Sequence, residues 1–123
     1  SLFFLPSLSH AAPILPDLPR AYVDTTMPTT SVTKTVCASG CDYKNTELQR
    51  AIDEAQLGTT ITLEPGVTYA GGGELGFKLP NKTSGSGWII IQTAAISSLP
   101  PQGTRVTPSY SQFMPKILRY HGR

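Results

Sequence analysis

The sequence predicts a mainly β chain whose strands run parallel and wind as a solenoid, closed at one end by a single amphipathic helix. Three observations lead there. Residues 42 to 66, DYKNTELQRAIDEAQLGTTITLEPG, hold the one clear helical periodicity and pass at once into a β-branched run and a turn. WIIIQT at 88 to 93 sets three isoleucines in a row, which suits a strand buried on both faces of a parallel sheet better than the alternation of a half-exposed hairpin. Charged residues make up only 15%, with 11 Gly and 11 Pro, a composition of turns and extended chain.

In chain order, residues 1–11, SLFFLPSLSHA, combine an apolar Leu/Phe stretch with small residues Ser9 and Ala11 at the positions a signal peptidase reads. They read as a signal peptide lacking its start, with cleavage after Ala11 preferred because a cut after Ala12 would leave Pro13 next in line; the alternative is a buried apolar N-terminal segment. No other apolar stretch approaches the roughly 20 residues that span a bilayer. Residues 12–35 carry four prolines amid Thr and Ser and read as a lead-in, with Ala21-Tyr22-Val23 the best place for a short strand.

Residues 36–58 form the next unit. Cys37 and Cys41 flank Ala38-Ser39-Gly40, and in an oxidising compartment they are expected to close a disulfide. So small a ring adds roughly 2 kcal/mol by chain entropy. Zinc or two free thiols are the alternatives, but a structural zinc needs four ligands and the two histidines, His10 and His121, stand at the chain ends. Thr46 and Gln49 have capping-box spacing, Glu47 suits the first turn, and Gly58 stands where a left-handed cap would end a helix over 47–57. Leu48, Ala51, Ile52 and Ala55 make one narrow apolar stripe opposite Glu47, Gln49, Arg50, Asp53 and Glu54. So short a helix is marginal alone. It must dock, and the surface that most needs covering is the open first turn of a coiled sheet.

Residues 59–123 are strand material: Thr59 to Leu63, a Glu64-Pro65-Gly66 turn, Val67 to Tyr69, Phe77 to Leu79, Trp88 to Thr93, Arg105 to Thr107 and Lys116 to Leu118. Thr107-Pro108 opens a short helical turn through Tyr110 and Phe113, because Thr caps well and Pro suits the first helical position.

With these residues in place, the chain resembles the N-terminal region of exported bacterial right-handed parallel β-helix proteins of the pectin-lyase-like superfamily. The resemblance rests on AYVDTTMP, CASGCDY, LQRAIDEAQLGTTITLEPGVTY, LPNK, WIIIQTAA and SSLPPQGTRVTPSYSQFMPKI, in that order. It implies that the helix closes the solenoid, that the strands begin its coils, and that polysaccharide is the commonest substrate class. It also implies an incomplete chain, since such proteins run through many further coils and only one or two fit here. No catalytic residue is carried over, because no position matches a motif that bears one.

The remaining candidates are weighed on their own chemistry. Gly71, Gly73 and Gly76 satisfy the G-x-G-x-x-G spacing of dinucleotide sites, but extended Phe77-Lys78-Leu79-Pro80 follows where a helix is required, so a turn is the reading. Asp53 and Glu54 are adjacent acids, and neighbouring helix positions do not face each other, which leaves them unfit to share a proton. Glu64, Glu74 and Asp42 are single acids near turns or the cap, and Arg105 and Lys116 single cations. No EF-hand spacing is present; no cofactor is expected, with calcium in later coils left open. Trp88 and Tyr69 would stack on sugars if exposed, but packing is the preferred reading beside β-branched runs. Asn81-Lys82-Thr83 matches a glycosylation sequon and reads as coincidence in a bacterial-type chain. With 10 basic and 8 acidic residues the net charge is +2, and the scattered cations offer no stripe for nucleic acid. The expectation is a secreted, periplasmic or cell-surface monomer without a membrane span. It is directed at extracellular polysaccharide and has no active site in this segment; a non-catalytic adhesive solenoid is the alternative.

Overall fold

The computed structural model describes residues 15–18, 20, 21, 23–71 and 76–119. Among them is a mixed α/β domain with two parallel sheets, one α-helix and short 3-10 turns. The expected signal peptide, Tyr22, Gly73, Glu74 and both histidines lie outside the described residues.

Strand β1 is Val32–Cys37, β2 Tyr43–Lys44, β3 Thr59–Leu63, β4 Thr68–Ala70, β5 Ile90–Thr93 and β6 Lys116–Leu118. The larger sheet has the order β2-β1-β3-β5 and the smaller pairs β4 with β6. Every strand pair is parallel. Val32 lies beside Thr59 and Thr60 beside Ile90, so the chain comes back to the same sheet after roughly 30 residues, inside the roughly 20–45 of common repeat units. After β3 the turn at Glu64-Pro65-Gly66 leads within a few residues to β4 in the second sheet, with the Val67 N–H donating to the Glu64 carbonyl. β6 reaches that second sheet after β5 by a longer route through the 3-10 helix Pro108–Phe113, entered from Thr107 with Pro108 in the first turn.

The first strand is the main departure from the sequence reading. VTKTVC begins inside the segment read as a lead-in, and it is central, hydrogen-bonded to β2 on one side and β3 on the other. By contrast Ala21 and Val23 are exposed and irregular, and 77–79 and 105–107 pair with nothing regular. The isoleucine run is parallel but not buried on both faces: β5 ends the sheet, Ile90 is half-buried and Ile91 is 38% exposed.

The helical segment opens with 3-10 residues Asn45–Glu47 and continues as α1, Leu48–Glu54. Its start is not built on Thr46 and Gln49. Thr46 lies exposed within the 3-10 turn, and the Glu47 carboxylate reaches back to accept the Lys44 N–H at 2.9 Å. Gln49 instead turns outward: its amide donates to the Lys78 carbonyl at 3.0 Å and accepts the Lys78 N–H at 2.8 Å, as a neighbouring strand would. The end also differs. Ala55 is already extended, and Leu57 bridges to Gly85, so tertiary pairing stops the helix before Gly58. Gly58 does adopt φ +92°, but it serves the entry to β3, donating to the Trp88 carbonyl and accepting from the Ser31 and Val32 amides. Gly85, at φ +88°, is a second position where only glycine fits, since a Cβ there would run into the Leu57 backbone.

Leu48, Ala51, Ile52 and Ala55 are all buried, in one cluster with Val36, Ile61, Leu63 and Tyr69. Burying Leu48 and Ile52 contributes roughly 1.5–3 kcal/mol each. At the centre stands Tyr69, fully buried, whose hydroxyl donates to the Val36 carbonyl at 2.5 Å and accepts the Glu64 N–H at 2.7 Å. One phenol thereby ties β4 to the end of β1 and to the turn after β3. Burial pushes its pKa up, partly opposed by the Glu64 N–H, so it stays protonated and able to donate.

The Cys37–Cys41 disulfide is formed, with Cα atoms 5.7 Å apart. Its loop is closed by Asp42, which accepts from the Thr35 N–H at 3.0 Å and from the Thr35 hydroxyl, and donates its own N–H back to that hydroxyl. The Thr35 N–H is the main reason the Asp42 carboxyl is held below its ordinary range.

Two outcomes follow from this packing. Ile52→Asp places a charge against the apolar cluster and is expected to unseat the helix and cause aggregation, read by size-exclusion chromatography; a soluble variant with an unchanged melting curve would contradict the packing. Tyr69→Phe removes the hydroxyl shared by the buried Val36 carbonyl and the part-buried Glu64 N–H, which keep only their own longer contact of 3.4 Å, and chemical denaturation is expected to show a loss of about 1 kcal/mol.

Candidate functional site

The polar face of the helical segment carries three acids, Glu47, Asp53 and Glu54, and each has a structural partner. Arg50 donates to Glu54 at 3.0 Å and to Glu47 at 3.1 Å, and its guanidinium lies 5.7 Å from the Tyr43 ring centre. The Tyr43 hydroxyl donates to Glu54 at 2.6 Å. That hydrogen bond, ahead of the Arg50 contact, pulls the Glu54 carboxyl down, and it raises the Tyr43 phenol. Asp53 accepts from Gln49 rather than sharing anything with Glu54. Glu64 accepts the Ala38 N–H at 3.1 Å. These contacts bind the helix and the disulfide loop to their surroundings, and among the described residues no two carboxylates are set as an acid/base pair across a cleft. Around Gly71 and Gly76 the described chain forms no helix that could hold a pyrophosphate.

Trp88 is where the surface carries unexplained chemistry. The packing expected for it is not what the structure holds: its side chain is 68% exposed, whereas Tyr69, the other aromatic weighed for sugar stacking, is entirely inside. The reason is a pairing with residues far along the chain. The Trp88 carbonyl accepts the Gly58 N–H at 2.8 Å and the Ser84 carbonyl accepts the Leu57 N–H at 3.0 Å, so the backbone before β5 is pinned to the helix–β3 connection. The indole, just ahead of the sheet's last strand, has no further strand to cover it.

The indole forms a wall shared by two clefts. One, of about 620 Å³, is otherwise lined by Asp24, Thr26, Met27, Pro28 and Thr29. The other, of about 440 Å³, is bounded by Leu79, Pro80, Asn81, Lys82 and Ile91, with Ile52 and Ile89 among its apolar lining. Both fall within the roughly 300–1,000 Å³ of small-molecule sites. Leu79 is 76% exposed, so an apolar ledge continues from the indole. Polar groups frame it: Asp24 accepts the Thr26 N–H at 2.9 Å, which holds its carboxyl below the ordinary range, and the Lys82 ammonium donates to the Asp53 carbonyl at the end of α1. The 76–82 segment is fixed by the paired hydrogen bonds between Gln49 and Lys78.

Of these residues, sequence reasoning had singled out Trp88, and Asn81 and Lys82 through the sequon. It missed Asp24, Met27 and Leu79, which reach the site from irregular segments with no periodic signal. The Gly85-Ser86-Gly87 run before Trp88 was the available hint that the indole leaves the core at a turn.

Because Trp88 is the chain's one tryptophan, its emission reports this geometry directly. Fluorescence with the maximum of a water-exposed indole, and ready quenching by iodide, is expected in the native protein. Trp88→Ala should change stability by no more than about 0.5 kcal/mol. A blue-shifted, unquenchable emission or a strongly destabilised variant would place the indole in the core instead.

No family model, curated protein or solved structure matches this chain.

Proposed function

We propose that this chain is the capping end and first coils of a secreted right-handed parallel β-helix protein directed at extracellular polysaccharide, with no catalytic site among these residues. The observation that carries the reading is the paired return of the chain: β1, β3 and β5 align in parallel in one sheet while β4 and β6 do so in another. A helix with a buried apolar face beside this stack fits the role of its seal. The Cys37–Cys41 disulfide fits an oxidising compartment, and among the described residues no helix is long and apolar enough to cross a membrane.

Polysaccharide enters through Trp88, an aromatic surface with polar groups around it, suited to the apolar faces of sugar rings. Turnover does not follow from it. Hydrolysis needs two carboxylates facing one bond, and elimination from a uronan needs a base at the sugar C5 proton with a cation to hold the developing charge. The acids of α1 are instead engaged with Arg50, Tyr43, Lys44 and Gln49.

The purified chain is expected to be retained on insoluble plant or microbial polysaccharide while releasing neither reducing ends nor unsaturated uronides. Depolymerisation abolished by substituting a residue of this chain would overturn the non-catalytic part. Absence of retention on every polysaccharide class would overturn the binding part.

A further inference from the structure

The two clefts on either side of Trp88 differ in charge, and that difference narrows the glycan class. The wider one has a single ionisable group, Asp24, whose carboxylate is stabilised by the Thr26 N–H. The narrower one also has a single ionisable group, Lys82, whose ammonium is already turned to the Asp53 carbonyl. An acidic polysaccharide carries a carboxylate on ring after ring. Laid across the indole it would meet Asp24 with no cation lining that cleft, and only the partly engaged Lys82 beyond. One unfavourable contact with a carboxylate and one favourable contact with an ammonium leave a polyanion no net electrostatic gain.

The neutral features point the other way. Indole, Leu79 and Ile91 give a continuous apolar ledge for the CH faces of sugar rings, while Thr26, Thr29 and Asn81 put hydroxyls and an amide at its margins. Apolar lining is present in both clefts that Trp88 borders, Leu79 and Ile91 in one and Met27 and Pro28 in the other, so the ligand that fills them is longer than a single ring.

Resting on the polysaccharide reading above, we propose that the Trp88 ledge is a binding site for an uncharged glycan of two or more rings, one stacked on the indole and its neighbours lying in the flanking clefts. Asp24 acts as the selector against acidic chains. Leu79 and Ile91 extend the stacking surface, and Gln49 is a positioning residue that holds the 76–82 wall through Lys78.

The test is a titration followed by Trp88 emission, with neutral β-1,4-linked oligosaccharides of two to six rings beside oligogalacturonates of the same lengths. Neutral oligosaccharides should bind, with affinity rising about tenfold, or 1.4 kcal/mol, from two to four rings. Their binding should not change between about 0.02 and 0.5 M salt, where a charge-driven contact would weaken. By calorimetry Trp88→Ala should lose at least about tenfold in affinity and Trp88→Phe should retain most of it, which separates ring stacking from a folding defect. Asp24→Asn should admit oligogalacturonate, narrowing the gap between its affinity and that of the neutral chain of equal length. Tighter binding of oligogalacturonate by the native chain would overturn the neutral assignment and leave the polysaccharide reading standing. Binding of neither class, or binding indifferent to Trp88→Ala, would overturn the ledge as a sugar site.

Discussion

The structure depends on covering one small apolar cluster, and the cover is a helix too short to exist without it. Leu48, Ala51, Ile52 and Ala55 on one side meet Val36, Ile61, Leu63 and Tyr69 on the other. Helix nucleation is unfavourable and α1 spans only seven residues, so its stability comes from docking. The docking surface exists, in turn, only when β1 and β3 are paired and β4 has turned Tyr69 inward. Tyr69 makes that condition polar as well as apolar, because two backbone groups from different segments share its hydroxyl. Helix and sheet are thus conditions for each other.

The same arrangement places the candidate binding surface. Once β3 is fixed, Gly58 fixes the Trp88 carbonyl, and the chain reaches β5 with its indole pointing away from the cluster. Ile52, whose burial holds the helix, also lies in the lining of the narrower cleft beside Trp88. Lys82 and Gln49 bring the 76–82 segment to the helix from outside. Apart from Ile91 in β5 the ledge is built from irregular chain, and Lys78, Lys82, Ser84 and Trp88 are hydrogen-bonded to the helix and to the connection from it to β3.

How far the sequence disclosed this differs by element. Thr59 to Leu63, the Glu64-Pro65-Gly66 turn, the Thr107-Pro108 helical entry and the closing strand at 116–118 were legible because β-branched runs, turn residues and capping residues act locally. The buried stripe was legible for the same reason, since four apolar residues at helical spacing have few other uses. β1 was not. Thr and Lys among its valines resembled the preceding linker, and only pairing on both sides makes it a central strand. The helix ends were missed because Leu57 and Gly58 are claimed by residues 84–88, far along the chain. Trp88 inverted the usual burial tendency through the same distant pairing, with the Gly85-Ser86-Gly87 run before it the one local hint.

Native-state amide hydrogen exchange, followed through a low-denaturant series, tests the mutual dependence of helix and sheet most directly. The amides of Ala55 and of the helix's last turn should open with those of β1 and β3, in one unit and at one free energy. Helix amides that exchange freely while Ile61 and Leu63 remain protected would show that the sheet stands without its cover, and the seal would then hold nothing together.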